Sequence, residues 1–218
     1  AQIKKQTTQP DRIFILVDKN PAAPAVSLAA NINARRAKIA ANHQLLRKAV
    51  MKTKPDLVWQ LEGDGELPEN CLDRLISSYR QLRAENSRLA YVSAVQVGRH
   101  GLCVIGAWHF NDGPNQKYSS ADPVAKGIIS VDATGMYCLL ADARAWLEGQ
   151  CAWDGQPYGP NVVFALSLKA KKYDIYIDMG LAVGHITENK TLYPHNVSVC
   201  RAEFYKDESK NKWLYRTL

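Results

Sequence analysis

Apolar positions along the chain fall into short continuous runs, and stretches with helical spacing lie between them. Arg12-Ile13-Phe14-Ile15-Leu16-Val17 ends in Asp18 and predicts a buried strand. Pro21 and Pro24 mark a loop. From Asn33 to Met51 the spacing is helical, with Ile39, Leu46 and Val50 on one face and Arg35, Arg36, Lys38 and Arg47 around it. Pro55 ends that helix, and residues 56–62 predict a second strand. Pro68 sits where a helix starts, and Leu72, Leu75, Ile76, Tyr79 and Leu82 then recur at helical spacing. Residues 89–95 and 102–110 predict strands with a turn at 98–101 between them, and residues 128–131 predict another. A short helix is expected over 142–148, a long Gly/Pro/aromatic loop over 150–160 and a helix over 161–171. Strands are expected over 174–178 and 181–185. The alternation of strand and helix in the first half predicts an α/β fold with a parallel sheet, whose ligands bind beyond the carboxyl ends of the strands.

The chain has 218 residues, enough for one domain with a sizeable core. Residues 1–11 read as a polar arm, 12–187 as the domain, and 188–218 as a basic, aromatic tail. No apolar run approaches about 18 residues, so no membrane span is expected. The start, Ala1-Gln2-Ile3-Lys4-Lys5, does not read as a signal peptide. Five cysteines are scattered, odd in number and without CxxC spacing, which predicts reduced thiols and a cytoplasmic setting. The net charge of +7 points to an anionic partner or simply to solvated lysine faces.

The segment Leu57-Val58-Trp59-Gln60-Leu61-Glu62-Gly63-Asp64-Gly65-Glu66-Leu67-Pro68 changes this picture most. An apolar run stops at two carboxylates spaced i, i+2 beside a Gly-rich turn. A strand end projects such residues to one side, where they suit a hard cation. A solvated acidic turn is the plainer alternative. Asp18 lies at another predicted strand end.

The order of these motifs resembles a nucleotide-sugar glycosyltransferase of the GT-A fold, chiefly the family 2 enzymes and secondarily the retaining polypeptide sugar transferases. Residues 12–18 resemble the strand that opens the nucleotide site, and Asn33-Ala34-Arg35-Arg36 the Arg-containing helix start after it. Leu61-Glu62-Gly63-Asp64 stands where these families carry their acidic metal motif. Gly159-Pro160-Asn161, then Lys172-Tyr173-Asp174-Ile175-Tyr176-Ile177-Asp178, then Val183-Gly184-His185-Ile186 resemble the second half. Asp132-Ala133-Thr134-Gly135 fits the acceptor side. The resemblance covers about residues 12 to 187. It implies a single Rossmann-like domain with a mixed, mainly parallel sheet flanked by helices.

It also implies roles. Asp64 and His185 are the expected ligands of Mn²⁺ or Mg²⁺, with Glu62 a weaker ligand or a ribose contact. Asp18, Arg35 and Arg36 are expected at the nucleotide-sugar donor, a UDP-sugar above others. Where family 2 enzymes carry Glu-Asp, this chain has Pro160-Asn161, and an Asn cannot take a proton. Three readings stand: Asn161 is an engineered replacement of an Asp, the outcome is retaining, or another carboxylate such as Asp154 or Asp132 serves as base. Trp153 and Tyr158 are candidates for an acceptor platform. His195, Arg201 and Lys206 are candidates for an arm over the diphosphate. Each has a plain alternative as a cap, a packing residue or a solvated face. The expected activity is metal-dependent sugar transfer to an acceptor, either a hydroxymethylated base in phage-type DNA or a saccharide, lipid-linked or protein acceptor. A non-catalytic binding module for a nucleotide sugar or nucleic acid is the rival. A nucleotidyltransferase ranks third, because Lys19-Asn20-Pro21-Ala22-Ala23-Pro24 lacks the glycines of a phosphate loop.

Overall fold

The computed structural model describes residues 6, 28–98, 103–110, 117–152, 158–187, 190–207, 209 and 212–218; side chains are described at residue 6 and from residue 33, and not at 212 and 213. The predicted strand over 12–17, Asp18, Trp153 and Asp154 lie outside the described residues.

In chain order the elements are α1 (Leu28–Thr53), β1 (Leu57–Leu61), β2 (Gly65–Glu66), α2 (Cys71–Glu85), β3 (Leu89–Val95), β4 (Ala107–Phe110), β5 (Lys117–Ser120), β6 (Ile128–Val131) and β7 (Ala133–Thr134). Then follow β8 (Cys138–Asp142), α3 (Ala143–Glu148), α4 (Pro160–Ala170), β9 (Asp174–Ala182), β10 (Gly184–Ile186), β11 (Thr191–Leu192), β12 (Ala202–Asp207) and β13 (Lys212–Thr217). Helix ends have local causes. Lys54 takes a left-handed φ of 48° after α1, its N–H returns to the Val50 carbonyl, and Pro55 follows. Lys172 does the same after α4 at φ 62°. Asp142 caps α3 by accepting from Ala145 N–H at 3.0 Å. The helix after Pro68 begins three residues later than expected, at Cys71. Its cap comes from far away: the Gln6 side chain accepts from Leu72 N–H at 3.0 Å and donates to the Pro68 carbonyl at 2.8 Å.

The strands form three sheets, ordered β1-β8-β3-β9-β6, β11-β10-β2 and β13-β12-β5-β4-β7. This overturns the expected Rossmann-like, mainly parallel sheet of the GT-A class. Among the described residues β3 with β9 is the parallel pair, and the remaining pairs are antiparallel. The reason is physical. An apolar run marks a buried strand but carries no record of its neighbour or direction. The β1–α2–β3 unit does run as a crossover, since both strands are antiparallel to β8. The two do not pair, however, because β8 returns between them. The tail beyond residue 200 is also part of this architecture, as β12 pairs with β5 and with β13.

The five-stranded β1–β6 sheet buries both faces with period 2. Val92, Cys138 and Leu140 face one core with Leu72, Leu75 and Tyr79 of α2. Tyr91, Leu139, Ala141, Ile175 and Ile177 face the other, with Trp146 of α3 and Phe164 of α4. Asp178, fully buried on β9, is neutralised in place: Arg74 Nε and NH2 donate to its two oxygens at 2.8 and 3.2 Å, Ser78 Oγ donates at 2.8 Å, and Gly180 N–H at 3.0 Å. Among the described residues no helix is long and apolar enough to cross a membrane.

Two predictions follow from this packing. Removing the Asp178 carboxylate leaves Ser78 Oγ and Gly180 N–H without their acceptor, so Asp178→Ala should lower unfolding free energy by about 2 kcal/mol. An unchanged urea midpoint would show the clamp to be dispensable. His43 is 3% exposed, stacked on Trp146 at 4.4 Å between ring centroids, and neither ring nitrogen has a hydrogen-bond partner among the described residues. Burial first, and the charge of Arg47 second, push its pKa down to about 4. A folded pKa below the unfolded value of about 6.5 means that the unfolded chain binds the proton more readily. Stability is therefore full above pH 6.5 and is lost as pH falls towards 4, by about 3 kcal/mol. His43→Phe should flatten that part of the profile; urea titrations at pH 7 and 4.5 that run parallel for both proteins would contradict this.

Candidate metal centre

Strands β1, β3 and β9 run in one direction, so their carboxyl ends meet at one edge of the five-stranded sheet. β1 ends at Leu61, in register with Cys138, and the chain turns through Glu62, Gly63 and Asp64 before β2. β9 ends at Ala182, opposite Val95. Val183 N–H then donates to the Val95 carbonyl at 2.8 Å, and β10 begins at Gly184. The small β2–β10 ladder joins the two ends by placing His185 opposite Gly65 and Gly184 opposite Glu66, and Ile186 N–H donates to the Asp64 carbonyl at 2.8 Å.

That ladder brings together two residues far apart in sequence. His185 Nε2 lies 3.5 Å from Asp64 Oδ2. His185 is buried and Asp64 is partly open. His185 Nδ1 lies 2.8 Å from the Val97 carbonyl oxygen. A carbonyl oxygen only accepts, so Nδ1 carries the hydrogen, and in the neutral ring Nε2 presents its lone pair towards the carboxylate. Two lone-pair groups at 3.5 Å are further apart than hydrogen-bonded partners. A cation between them is attracted to both, either a proton on the imidazole or a metal ion held between imidazole and carboxylate. The backbone carbonyl behind Nδ1 is the partner that fixes the ring of a metal-binding histidine. An oxygen and an imidazole donor together suit Mn²⁺ and admit Mg²⁺. Among the described residues no group of three or more His, Cys, Asp or Glu side chains gathers to hold a metal ion. Among the described residues the pair would supply two ligands.

The other residues read from the sequence are dispersed. Glu62 is exposed just before the pair, with its N–H donating to the Tyr137 carbonyl at 2.9 Å. Asp132, at the far end of β6, is held by Lys169 Nζ at 3.1 Å and accepts from Phe110 N–H at 2.9 Å. Val131 is opposite Ile175 near the start of β9, so Asp132 stands at the sheet edge opposite the Asp64–His185 pair. Asn161 is the second residue of α4 and partly buried, its Oδ1 folded back against Gly159. Arg35 is exposed on α1, and Arg36 is beside Tyr118, where burial lowers its pKa. Tyr158 is partly buried and packs against the larger core. Asp18, Trp153 and Asp154 are outside the described residues.

A groove of about 610 Å³ was not read from the sequence. Its lining includes Glu66, Pro68, Glu69, Ala182, Tyr193 and His195. Strand alternation turns Glu66 and Gly184 to the opposite side of the small sheet from His185. Tyr193 lies directly over Gly184: an added Cβ there would stand 2.6 Å from Tyr193 Cζ and 2.4 Å from Thr191 Cγ2, so only glycine fits. The Tyr193 ring stacks on His195 at 5.0 Å, and its phenol is raised in pKa by burial and then by Glu66. A strand of two residues has no periodicity, so neither β2 nor the groove beside it leaves a signal in the sequence.

No family model matches the chain, and no curated protein matches it. Among solved structures the fold is similar to the crystal structure of A197 from STIV, at 12% identity over 73% of this chain and 73% of that one, with a TM-score of 0.51. At that identity the likeness concerns the fold alone.

Proposed function

We propose that the protein is a metal-dependent glycosyltransferase that cleaves a nucleotide-diphosphate sugar, a UDP-sugar above others, at the edge where β1, β3 and β9 end. One observation carries the reading: the Asp64 carboxylate and the Val97-oriented His185 imidazole face each other at 3.5 Å, although the motifs that hold them are far apart in sequence. Asp64 and His185 would hold a Mn²⁺ or Mg²⁺ ion, which would supply Lewis-acid stabilisation of the negative charge on the departing diphosphate. The Val97 carbonyl keeps the ring in the tautomer that offers Nε2. Glu62, exposed beside the turn, would contact the ribose or a metal-bound water. Asp132 is paired with Lys169 at the far edge of the sheet and takes no part as a base.

The acceptor reading that the structure supports is an anionic polymer, with a hydroxymethylated base of DNA as the specific case. Helix α1 carries Arg35, Arg36, Lys38, Arg47, Lys48 and Lys52 and no acidic residue. A saccharide, lipid-linked or protein acceptor is the alternative outcome. Asn161 supports a second reading, a binding module that holds the donor without turning it over, because its amide cannot accept a proton at the start of α4.

Three measurements separate these readings. With Mn²⁺ and a panel of nucleotide sugars, the chain should release nucleoside diphosphate, and Asp64→Asn and His185→Gln should each lower that release by about 100-fold. If neither the chain nor Asn161→Asp releases any, the enzyme reading fails and the binding module stands. Activity only in Asn161→Asp would mean that residue 161 disables the catalyst. DNA affinity that falls less than about tenfold between 50 and 200 mM salt would exclude the polyanionic acceptor.

A further inference from the structure

Two cysteines that stand 67 positions apart meet in the core beneath the candidate site: Cys71 Sγ and Cys138 Sγ are 3.6 Å apart, and both residues are fully buried. Cys71 opens α2, its N–H donating to the Pro68 carbonyl at 3.0 Å. Cys138 opens β8 in register with Leu61, the residue before Glu62. The pair thus joins two points next to the segment that carries Asp64: Cys138 stands across from Leu61, and Cys71 opens the helix that follows. A covalent bond needs the sulfurs to close by about 1.6 Å.

We propose that Cys71 and Cys138 form a structural disulfide when the chain folds in the presence of a disulfide oxidant. The step is balanced. The two thiols give up two protons and two electrons as the Sγ–Sγ bond forms. The oxidant, a small-molecule disulfide such as glutathione disulfide, has its own S–S bond broken and leaves as two thiols.

The surroundings decide when this happens. In the folded state the Cys138 thiol is held well above its usual pKa, first by its hydrogen bond with Cys71 and then by burial. Exchange proceeds through a thiolate, so the folded, reduced protein reacts slowly, and the bond closes while the core is still open. Once made, it lies beneath Leu72, Leu75 and Leu140, away from soluble reductant. This is a staple for the Asp64 turn, not a fast redox switch. It ties the start of α2 to the strand that pairs with β1, next to the segment that carries Asp64. The odd cysteine count concealed it, because sequence spacing carries no information on contacts 67 residues apart. Cys151 is also buried but sits beside Arg47, which makes it an internal control.

The full chain is unfolded in reductant, refolded in a mixture of reduced and oxidised glutathione, alkylated, digested without reductant and mapped by mass spectrometry. The expected result is a linked peptide joining Cys71 to Cys138, lighter by two hydrogens than the sum of its parts, with Cys151 alkylated. The oxidised protein should unfold about 10 °C above protein refolded with reductant. The Cys71→Ala/Cys138→Ala double variant should show no such dependence on oxidant. Expression in a host with an oxidising cytoplasm, with no refolding step, should give the same linked peptide. Native-like protein from both routes with Cys71 and Cys138 both alkylated, or with either joined to a different cysteine, would overturn the proposal. So would an equal oxidant-dependent shift in the double variant.

Discussion

Strand β9 lies parallel to β3, joining residues more than eighty positions apart, and the placement of the candidate site depends on that pairing. It aligns the carboxyl end of β9 with those of β3 and, through β8, of β1. The seam is held from the α2 side by Asp178, a carboxylate without solvent contact whose oxygens are taken by Arg74, Ser78 and Gly180. A buried charge is tolerated only when it is paired and hydrogen-bonded. That network therefore also fixes where α2 sits, and with it the turn that α2 follows.

From this edge the chain needs two short steps to build the site. The β2–β10 ladder brings the turn after β1 against the segment after β9, and the carbonyl of Val97, just beyond β3, orients the imidazole. Three strand ends thus contribute one group each: a carboxylate, an imidazole and the carbonyl that sets its tautomer. The same ladder presents Glu66 and the Tyr193–His195 stack on its other side. The buried thiol pair lies under the turn between β1 and α2. The Asp64–His185 pair and the groove thus lie on the two sides of one small ladder.

Much of the element map was legible in the sequence. The helical spacing of residues 33–51 and of 72–82 corresponds to α1 and α2, and the apolar runs at 57–61, 89–95, 128–131 and 174–178 correspond to strands. Strand direction and neighbours were not legible, and the inferred parallel sheet gave way to a mixed one when β8 inserted between β1 and β3. The tail hid β12 and β13, because aromatic and charged residues alternate there without an apolar run. At the site, Glu62 and Asp64 were visible as carboxylates at a strand end. His185 entered through a family resemblance, and no local pattern marked it. Asp132 looked equally eligible by its position after a strand, yet that strand runs the other way, so it ends at the far edge beside Lys169.

By itself, the sequence determined the central parts of α1 to α4 and of strands β1, β3, β6 and β9, and that a carboxylate pair stands at a strand end. Those properties follow from local sterics, periodicity and capping, which act over a few residues. Only the tertiary structure decided that Asp64 and His185 face each other at 3.5 Å, that Asp132 does not join them, and that Cys71 meets Cys138. These depend on strand order and direction, which are set by the packing of whole faces against one another, and no local pattern encodes them.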